Sequence, residues 1–414
     1  MPEAAPLKIG LIREGKTPPD SRVVFTPEQA ARVARRPGID LTVQRSPGRC
    51  YPDDAYAAAG VTLVDDVADR DVLIGVKEVP IEQLLAGKTY FFFSHTHKEQ
   101  AYNRDLLKAV LDRRIRLIDY ELLTDGEGGK RLIAFGRFAG MVGAHHALRA
   151  WGLRTGAYEL PQMRTFHDYA AAREAYAATE WGDVRIVVTG TGRVGRGAAE
   201  VLRDAGLERL TPAQFRQRDR GRGGAVFTVL SAGDYVRHAT RKGPVVKQDF
   251  YRHPEDYVTA FAPYAAAADV LIHGIFWDNR APALFAPAEV RPGTDAWSVR
   301  VVADVTCDIA PVTSVPLTLK ASTIAEPYFG VEVRGGEARE VDGDPFAAPV
   351  TMMTVDNLPN ELPRDASKAF GAMFIERILP ELLRDDSEIL ARATIADRGR
   401  LNEPYRYLED FVNA

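Results

Sequence analysis

The 414-residue chain is long enough for two domains with separate hydrophobic cores, and its 46% hydrophobic and 27% charged residues are ordinary values for globular proteins. A formal net charge of -4 gives no support to a nucleic-acid partner, and no apolar stretch approaches the roughly 20 residues that span a bilayer. With two cysteines and no signal-peptide pattern at the N-terminus, the sequence predicts a cytoplasmic protein without a disulfide framework.

The first third of the chain alternates between short apolar runs and amphipathic segments, which predicts strands followed by helices. Strands are predicted over residues 8–12, 41–44, 71–76, 89–93 and 115–119. Helices are predicted over residues 26–36, 53–60, 81–87 and 99–114. The first helix carries a capping box from Thr26 to Gln29, with Pro27 at its first position. This order predicts a parallel sheet with helices on both faces.

A second α/β pattern follows a predicted helix over residues 137–152. Strands are predicted at the start of the segment 184–206 and over residues 225–230, 268–275 and 300–305. Residues 335–345 are polar and turn-rich, and two helix-like segments complete the chain. The fold class predicted from these elements is α/β, with two Rossmann-like, doubly wound parallel sheets.

A glycine-rich turn follows the first strand of the second pattern and opens a helix. It reads G-x-G-x-x-G and consists of Gly190, Thr191, Gly192, Arg193, Val194 and Gly195. Glycines at these places permit a tight turn and let the backbone approach a pyrophosphate, which also meets the unpaired N–H groups of the helix N-terminus. The turn therefore predicts a dinucleotide cofactor.

The choice between NAD and NADP is open at this point. An acidic residue that binds the ribose 2′-hydroxyl is expected about 20 residues after the turn. In that region Glu208 comes before the expected strand end, and Arg209 equally suits a 2′-phosphate. We take NAD as the cofactor without excluding NADP.

Three ionisable residues come directly after three successive predicted strands: Lys77, His95 and Glu121. Because the carboxyl ends of parallel strands share one edge of a sheet, we expect these side chains to converge there, with Glu78 beside them. Lysine, histidine and glutamate in one cleft suit proton transfer, since burial and neighbouring charges move their pKa values.

A metal site is the rival interpretation for the H-x-H pair of His95 and His97. Residues two apart on a strand share a face, but no third ligand is spaced convincingly nearby and Lys98 adds positive charge. We therefore expect no metal. Arg13, Arg22 and Arg131 near the same edge suggest a substrate with several carboxylates.

Several blocks of the sequence resemble the L-lysine-forming saccharopine dehydrogenases, within the superfamily of alanine dehydrogenases and transhydrogenase subunits. The blocks are LIREGKTPPDSRVVFTP, GVKEVP, SHTHKEQ, DYELLTDGEGGKRLIAFGRFAG, VVADVTCDI and VDNLPNELPRDAS. The resemblance implies a discontinuous catalytic domain of residues 1–138 plus about 347–414. It also implies a Rossmann domain over about 139–346 and an interdomain cleft for catalysis.

The resemblance also implies roles for individual residues. Lys77 and His95 would form the acid–base pair, tuned by Glu78 and Glu121. Substrate carboxylates would be faced by Arg13, Lys98 and Arg131. Further cofactor contacts would come from Asp304, Asp308, Asp356 and Leu358.

The reaction implied is NAD(P)-dependent cleavage of saccharopine to L-lysine and 2-oxoglutarate, or its reverse, so the partners expected are a small amino acid and a 2-oxo acid. Two alternatives stay open. One is alanine dehydrogenase or a related enzyme with another amino acid and 2-oxo acid pair, and the other is a cofactor-binding protein without catalysis.

Overall fold

The computed structural model describes residues 5–126, 129–221 and 223–413, so Glu127 and Gly128 of the DGEGGK block lie outside the described residues. The chain divides into two compact units. The first runs to Phe135 and resumes at Pro363, and the second is Gly136–Leu362. The second unit includes residues 350–353, because Val350–Met353 pairs inside the second sheet.

Eighteen strands are present in the described part of the chain. They are β1 (Leu7–Leu11), β2 (Ile39–Gln44), β3 (Thr62–Val64), β4 (Val72–Lys77), β5 (Thr89–Phe93), β6 (Arg116–Asp119), β7 (Arg185–Thr189), β8 (Glu208–Arg209), β9 (Val226–Leu230), β10 (Val236–His238), β11 (Tyr257–Thr259), β12 (Val270–His273), β13 (Val301–Asp304), β14 (Tyr328–Arg334), β15 (Glu337–Val341), β16 (Val350–Met353), β17 (Thr394–Asp397) and β18 (Arg400–Leu401).

Fourteen α-helices accompany them in the same described ranges. They are α1 (Pro27–Ala34), α2 (Asp53–Ala58), α3 (Arg104–Asp112), α4 (Gly136–Thr155), α5 (Tyr169–Ala177), α6 (Arg193–Asp204), α7 (Pro212–Gln217), α8 (Ala232–Tyr235), α9 (Lys247–Arg252), α10 (Ala262–Ala267), α11 (Pro363–Arg377), α12 (Leu379–Leu382), α13 (Glu388–Ala393) and α14 (Leu408–Asn413). None of the described helices is both long and apolar enough to cross a membrane.

The sheet of the first unit has the order β18-β17-β6-β5-β4-β1-β2-β3. Its six strands from β1 to β6 are parallel, as the sequence predicts, and the capping box of α1 is confirmed. The two strands from the C-terminal segment are antiparallel, so the sheet is mixed. The two-residue turn between β17 and β18, Arg398 and Gly399, has positive φ at both residues, which suits a tight hairpin.

Two helix predictions in this unit need correction. Residues 81–87 contain only a 3₁₀ turn, Ile81–Gln83, because Leu84 takes an extended conformation and packs into the core. The helix predicted from residue 99 begins at Arg104, since Glu99 has a left-handed backbone with φ 54°.

The sheet of the second unit has the order β15-β14-β16-β13-β12-β7-β9-β8. Strands β8, β9, β7, β12, β13 and β16 are parallel. The segment 335–345, expected to be turns, contains β15, because Gly335 and Gly336 at positive φ reverse the chain into an antiparallel hairpin with β14. The charged side chains of β15 lie largely exposed at the edge of the sheet. The sequence therefore lacks the apolar run that would predict a strand there.

Candidate functional site

The carboxyl edge of the first sheet gathers the ionisable residues that the sequence places after strands. Lys77 is the last residue of β4, and His95 and Glu121 each come two residues after the ends of β5 and β6. These three strands are consecutive neighbours in the sheet. The charges of Lys77 and Glu121 both act on the His95 imidazole, so the three side chains are brought together as predicted from strand order.

Lys77 is a largely buried ammonium, with 14% of its side chain exposed. Burial lowers its pKa, an effect opposed by Glu78, whose carboxylate lies 3.9 Å from Nζ. The positive charges of Lys16 and Arg22 lower it further. A lysine with a lowered pKa exchanges protons more readily near neutral pH than an exposed one does.

Glu78 lies between two cations, since Lys16 Nζ is 2.7 Å from its second carboxylate oxygen. Burial by itself would raise the pKa of Glu78, but Lys77 and Lys16 outweigh it and the pKa is lowered. Glu78 therefore remains a carboxylate and balances the charge of Lys77.

His95 has a left-handed backbone with φ 54°, and its ring stacks on Phe93 with the centroids 6.4 Å apart. Burial and the positive charges of Lys77 and Lys98 lower its pKa to about 4. The imidazole is therefore neutral at pH 7 and has a nitrogen lone pair available to accept a proton.

Glu121 is held by two cations, Lys98 Nζ at 2.7 Å and Arg131 at 2.9 Å. Burial favours its protonated form, but Lys98 and Arg131 prevail and lower the pKa of Glu121 to about 2. Lys98 and Arg131 are each about two-fifths exposed, so they pair with Glu121 while still reaching solvent. A substrate carboxylate would share these cations with Glu121.

His97 also faces this cluster, with Nε2 3.4 Å from Glu121. Potential ligand atoms of His97, Asp119 and Glu121 lie within 4.8 Å of one another. Two cations already neutralise Glu121, and hydrogen bonds from the protein occupy both oxygens of Asp119. The structure thus brings two carboxyl groups to His97, which the sequence did not indicate, but a metal ion would have to displace their present partners, so the arrangement does not suit one.

The arginine expected from the sequence to face substrate, Arg13, is exposed, and its backbone N–H donates to Gln44 Oε1 at 3.2 Å. Arg22 lies much deeper. It makes a two-point ion pair with the buried carboxylate of Asp20 and lies 4.3 Å from the ring centroid of Phe135. Arg13, Glu14, Asp20 and Arg22 all line one small cavity near the end of β1.

Glu14 was missed by sequence reasoning. It is partly buried, and its two carboxylate oxygens accept the backbone N–H groups of Val76 at 2.6 Å and Lys77 at 2.8 Å. Burial, assisted by the negative charge of Asp20, raises the pKa of Glu14 to about 8. Nothing in the local pattern R-E-G-K distinguishes this carboxyl group from an exposed one.

The raised pKa of Glu14 predicts a specific dependence of stability on pH. Because the folded-state pKa of about 8 exceeds the ordinary value of 4.5, the stabilising contribution is complete below about pH 4.5 and is lost as the pH rises through 8. Between pH 5 and pH 8 the loss is on the order of 4 kcal/mol. Glu14→Gln should remove this component, as measured by urea unfolding at several pH values.

Glu82→Gln is the matched control for this experiment, because Glu82 is an exposed glutamate near the same strand end. It should leave the dependence of unfolding free energy on pH as in the parent protein. An equally steep dependence in Glu14→Gln and the parent would contradict the assignment.

The glycine-rich turn of the second unit joins β7 to α6, as predicted. Gly190 has φ 97°, and Gly192 is the N-cap of α6. A Cβ at Gly195 would lie 1.8 Å from the carbonyl oxygen of Gly190, whereas a Cβ at Gly192 would meet nothing within 4 Å. The turn is therefore closely packed on the inside and open above the helix N-terminus, which fits a pyrophosphate group.

The other predicted cofactor residues differ in their surroundings. Asp304 ends β13 and is fully buried, with one oxygen accepting from Thr306 and the other from Thr318 Oγ1 at 2.6 Å. It shapes the loop after β13. Asp308 is partly buried in that loop, Asp356 is exposed, and Leu358 is buried.

β7 lies between β12 and β9, and neither of them is the next strand in the chain, which is β8. β8 lies at the edge of the sheet, and Glu208 pairs in register with Val226, near the amino end of β9. Glu208 also forms an ion pair with Arg218 at 2.7 Å. The place where an acid would meet the ribose is therefore the end of β9, where Ser231 follows Leu230.

Comparisons with known proteins agree with this architecture. The N-terminal domain family of alanine dehydrogenase and PNT matches residues 10–142. An alpha-aminoadipic semialdehyde synthase from Arabidopsis thaliana is 30% identical over 97% of this chain. The chain spans 41% of the length of that relative.

A saccharopine dehydrogenase [NAD(+), L-lysine-forming] from Neurospora crassa is 26% identical, with 90% of this chain and 91% of the relative covered. Among solved structures, an L-alanine dehydrogenase has a TM-score of 0.63 at 16% identity, covering 98% of this chain and all of the other. A transhydrogenase from Sinorhizobium meliloti has a TM-score of 0.57 at 16% identity, covering 95% and 99%. These structural likenesses show the fold.

Proposed function

We propose that the chain is an NAD(P)-dependent oxidoreductase acting on a CH–NH group, because it is similar to alpha-aminoadipic semialdehyde synthases and saccharopine dehydrogenases and matches the N-terminal domain family of alanine dehydrogenase and PNT. The substrate proposed is saccharopine, which the enzyme interconverts with L-lysine and 2-oxoglutarate. The observation that carries the proposal is the meeting of Lys77, neutral His95 and Glu121 at one sheet edge.

The turn from Gly190 to Gly195 would hold the pyrophosphate of the cofactor, with α6 directing its N-terminus towards it. A bound nicotinamide supplies the hydride acceptor or donor. The protein supplies the proton transfers. His95 is neutral at pH 7 and accepts a proton from the reacting amine or water, while Lys77, with its lowered pKa, donates and recovers one.

Charged groups around this pair fit a substrate with several carboxylates. Lys98 and Arg131 reach solvent from Glu121. Saccharopine carries three carboxylates, whereas alanine carries one. The cations therefore favour the larger substrate.

The test is a set of reductive assays with the purified chain. Oxidation of NADH or NADPH should be rapid with lysine plus 2-oxoglutarate and absent with pyruvate plus ammonia. Turnover with pyruvate and ammonia alone would replace the proposal by alanine dehydrogenase. Cofactor binding without turnover for any pair of amino acid and 2-oxo acid would favour a protein without catalysis.

We also expect the protein to discriminate only weakly between NADH and NADPH. Ser231 lies where an acid would bind the ribose 2′-hydroxyl, and the nearby Asp234 carboxylate accepts from the Ser231 N–H at 2.8 Å and Oγ at 2.7 Å. Since that carboxylate is engaged in the cap of α8, we expect the kcat/KM values for NADH and NADPH to lie within about tenfold of each other. Steady-state kinetics with both cofactors measures this ratio.

Ser231→Asp should shift the same ratio at least about tenfold towards NADH, because a new carboxylate at the strand end binds the hydroxyl and repels the phosphate. Thr240→Asp is the control, since it adds a charge to an exposed residue after β10. A parent protein that prefers NADH strongly, with no response to Ser231→Asp, would contradict the placement.

A further inference from the structure

We propose that Asp119 is the positioning residue of the site and that its one carboxylate fixes the backbone carrying His95 and the backbone carrying Glu121. The inference deepens the proposed function and rests on the roles given there to His95 and Glu121. Asp119 is fully buried, so it acts on the chemistry through these neighbours.

One oxygen of Asp119 holds the segment that follows β5. Oδ2 accepts the backbone N–H of Ser94 at 2.8 Å, the Ser94 hydroxyl at 2.6 Å and the backbone N–H of His95 at 3.1 Å. The Ser94 hydroxyl oxygen lies 2.9 Å from Thr96 Oγ1, which ties the next turn to the same centre.

The other oxygen holds the segment that follows β6. Oδ1 accepts the backbone N–H of Glu121 at 2.7 Å and so caps the 3₁₀ turn Tyr120–Leu122. Asp119 pairs in register with Phe92, directly before the segment that carries His95. A single side chain therefore links the ends of two neighbouring strands that each lead to a residue of the site.

The conformation of His95 shows why such a link is needed. A non-glycine residue with φ 54° occupies a sparsely populated region, which persists only where surrounding contacts favour it. The hydrogen bond from the His95 N–H to Asp119 provides such a contact, and the resulting backbone directs the ring onto Phe93. Loss of the carboxylate should free the turn and the ring together.

Several charged and titratable groups lie around Asp119 and His95. His97 Nδ1 lies 3.9 Å from Asp119 Oδ2, and Glu121 faces the same carboxylate. His95 itself faces Lys77, Lys98, Glu121 and Glu78. Burial raises the pKa of Asp119 above its usual range, and removing whatever negative charge this group carries would by itself make protonation of a nearby imidazole harder. A rise in the pKa of His95 would therefore report loss of burial.

The test is Asp119→Asn in the full chain, with two measurements. In NMR titrations the His95 ring, identified by the signal that disappears in His95→Gln, should shift its pKa from about 4 towards the ordinary 6.5. In kinetics kcat should fall by about 100-fold, while KM for the cofactor stays within about threefold. Ser94→Ala, which removes one of the hydrogen bonds to Oδ2, should give a smaller change in the same direction.

Asp269→Asn is the matched control. Asp269 is a buried carboxylate in the second unit that accepts the backbone N–H of Arg185 at 2.9 Å, at the amino end of its sheet. It should lower thermal stability without altering the His95 titration or the pH profile.

Two results would overturn the inference: an unchanged His95 titration in folded Asp119→Asn, or, should that variant fail to fold, an unchanged titration in Ser94→Ala. The NMR measurement needs no substrate. A parent protein inactive with every pair of amino acid and 2-oxo acid would thus refute the proposed function and leave the positioning role to be decided by the titration.

Discussion

Replacing Lys77 with methionine should lower kcat with lysine and 2-oxoglutarate by about 10²- to 10⁴-fold, the range typical of a lost acid–base group. Methionine nearly matches the length of the lysine stem and suits the largely buried position, so the fold of the first unit should be retained. The glycine-rich turn belongs to the second unit, and cofactor affinity measured by fluorescence titration should stay within about threefold.

The dependence of kcat/KM on pH tests the role of Lys77 independently in the same variant. The limb of the kcat/KM profile that reports ionisation of Lys77 should vanish in Lys77→Met. Lys8→Met is the matched control, because Lys8 lies on β1 with 45% of its side chain exposed and forms only a long ion pair to Asp69 at 3.9 Å. Turnover of Lys77→Met at the level of Lys8→Met would remove Lys77 from the mechanism.

Replacing Gly195 with alanine should both destabilise the second unit and abolish tight cofactor binding. The new Cβ would lie 1.8 Å from the carbonyl oxygen of Gly190, and a backbone atom cannot rotate away as the end of a side chain can. Separation of α6 from the turn should cost about 3 kcal/mol of folding stability. The cofactor dissociation constant should rise at least about 30-fold, equivalent to 2 kcal/mol.

Gly192→Ala separates the loss of folding stability from the loss of cofactor affinity, since its Cβ would meet no protein atom within 4 Å. The variant should stay within about 1 kcal/mol of the parent in stability, the size of an N-cap change. Its cofactor affinity should fall, because the methyl group stands where the phosphates approach. Calorimetric unfolding and cofactor titration of both variants measure these outcomes, and an undiminished affinity in Gly195→Ala would contradict the assignment of the turn.

Strand order predicted much of the candidate site. The apolar runs before Lys77, His95 and Glu121 are strands, and parallel neighbours bring the residues after them to one edge. The glycine pattern likewise predicted the turn between β7 and α6. The strand ends and the turn are each set by residues close together in the chain, where local patterns are most informative, and the convergence at one edge follows from the parallel strand order.

Other parts of the prediction failed where distant segments intervene. Residues 81–87 look helical, yet Leu84 is extended because the core of the first unit takes its side chain. Residues 337–341 look like turns, yet they extend a sheet edge opposite β14.

Local sequence patterns were enough to predict the α/β class, the strand ends that carry Lys77, His95 and Glu121, and the turn at Gly190, because each is set by short-range periodicity or backbone freedom. Three other features became visible only once the chain was folded: β9 lies beside β7, Glu14 accepts the backbone N–H of Lys77, and Asp119 links two strand ends. These features depend on contacts between residues far apart in the chain, which decide which strands are neighbours and which side chains are buried. Burial in turn raises the pKa of a carboxyl group.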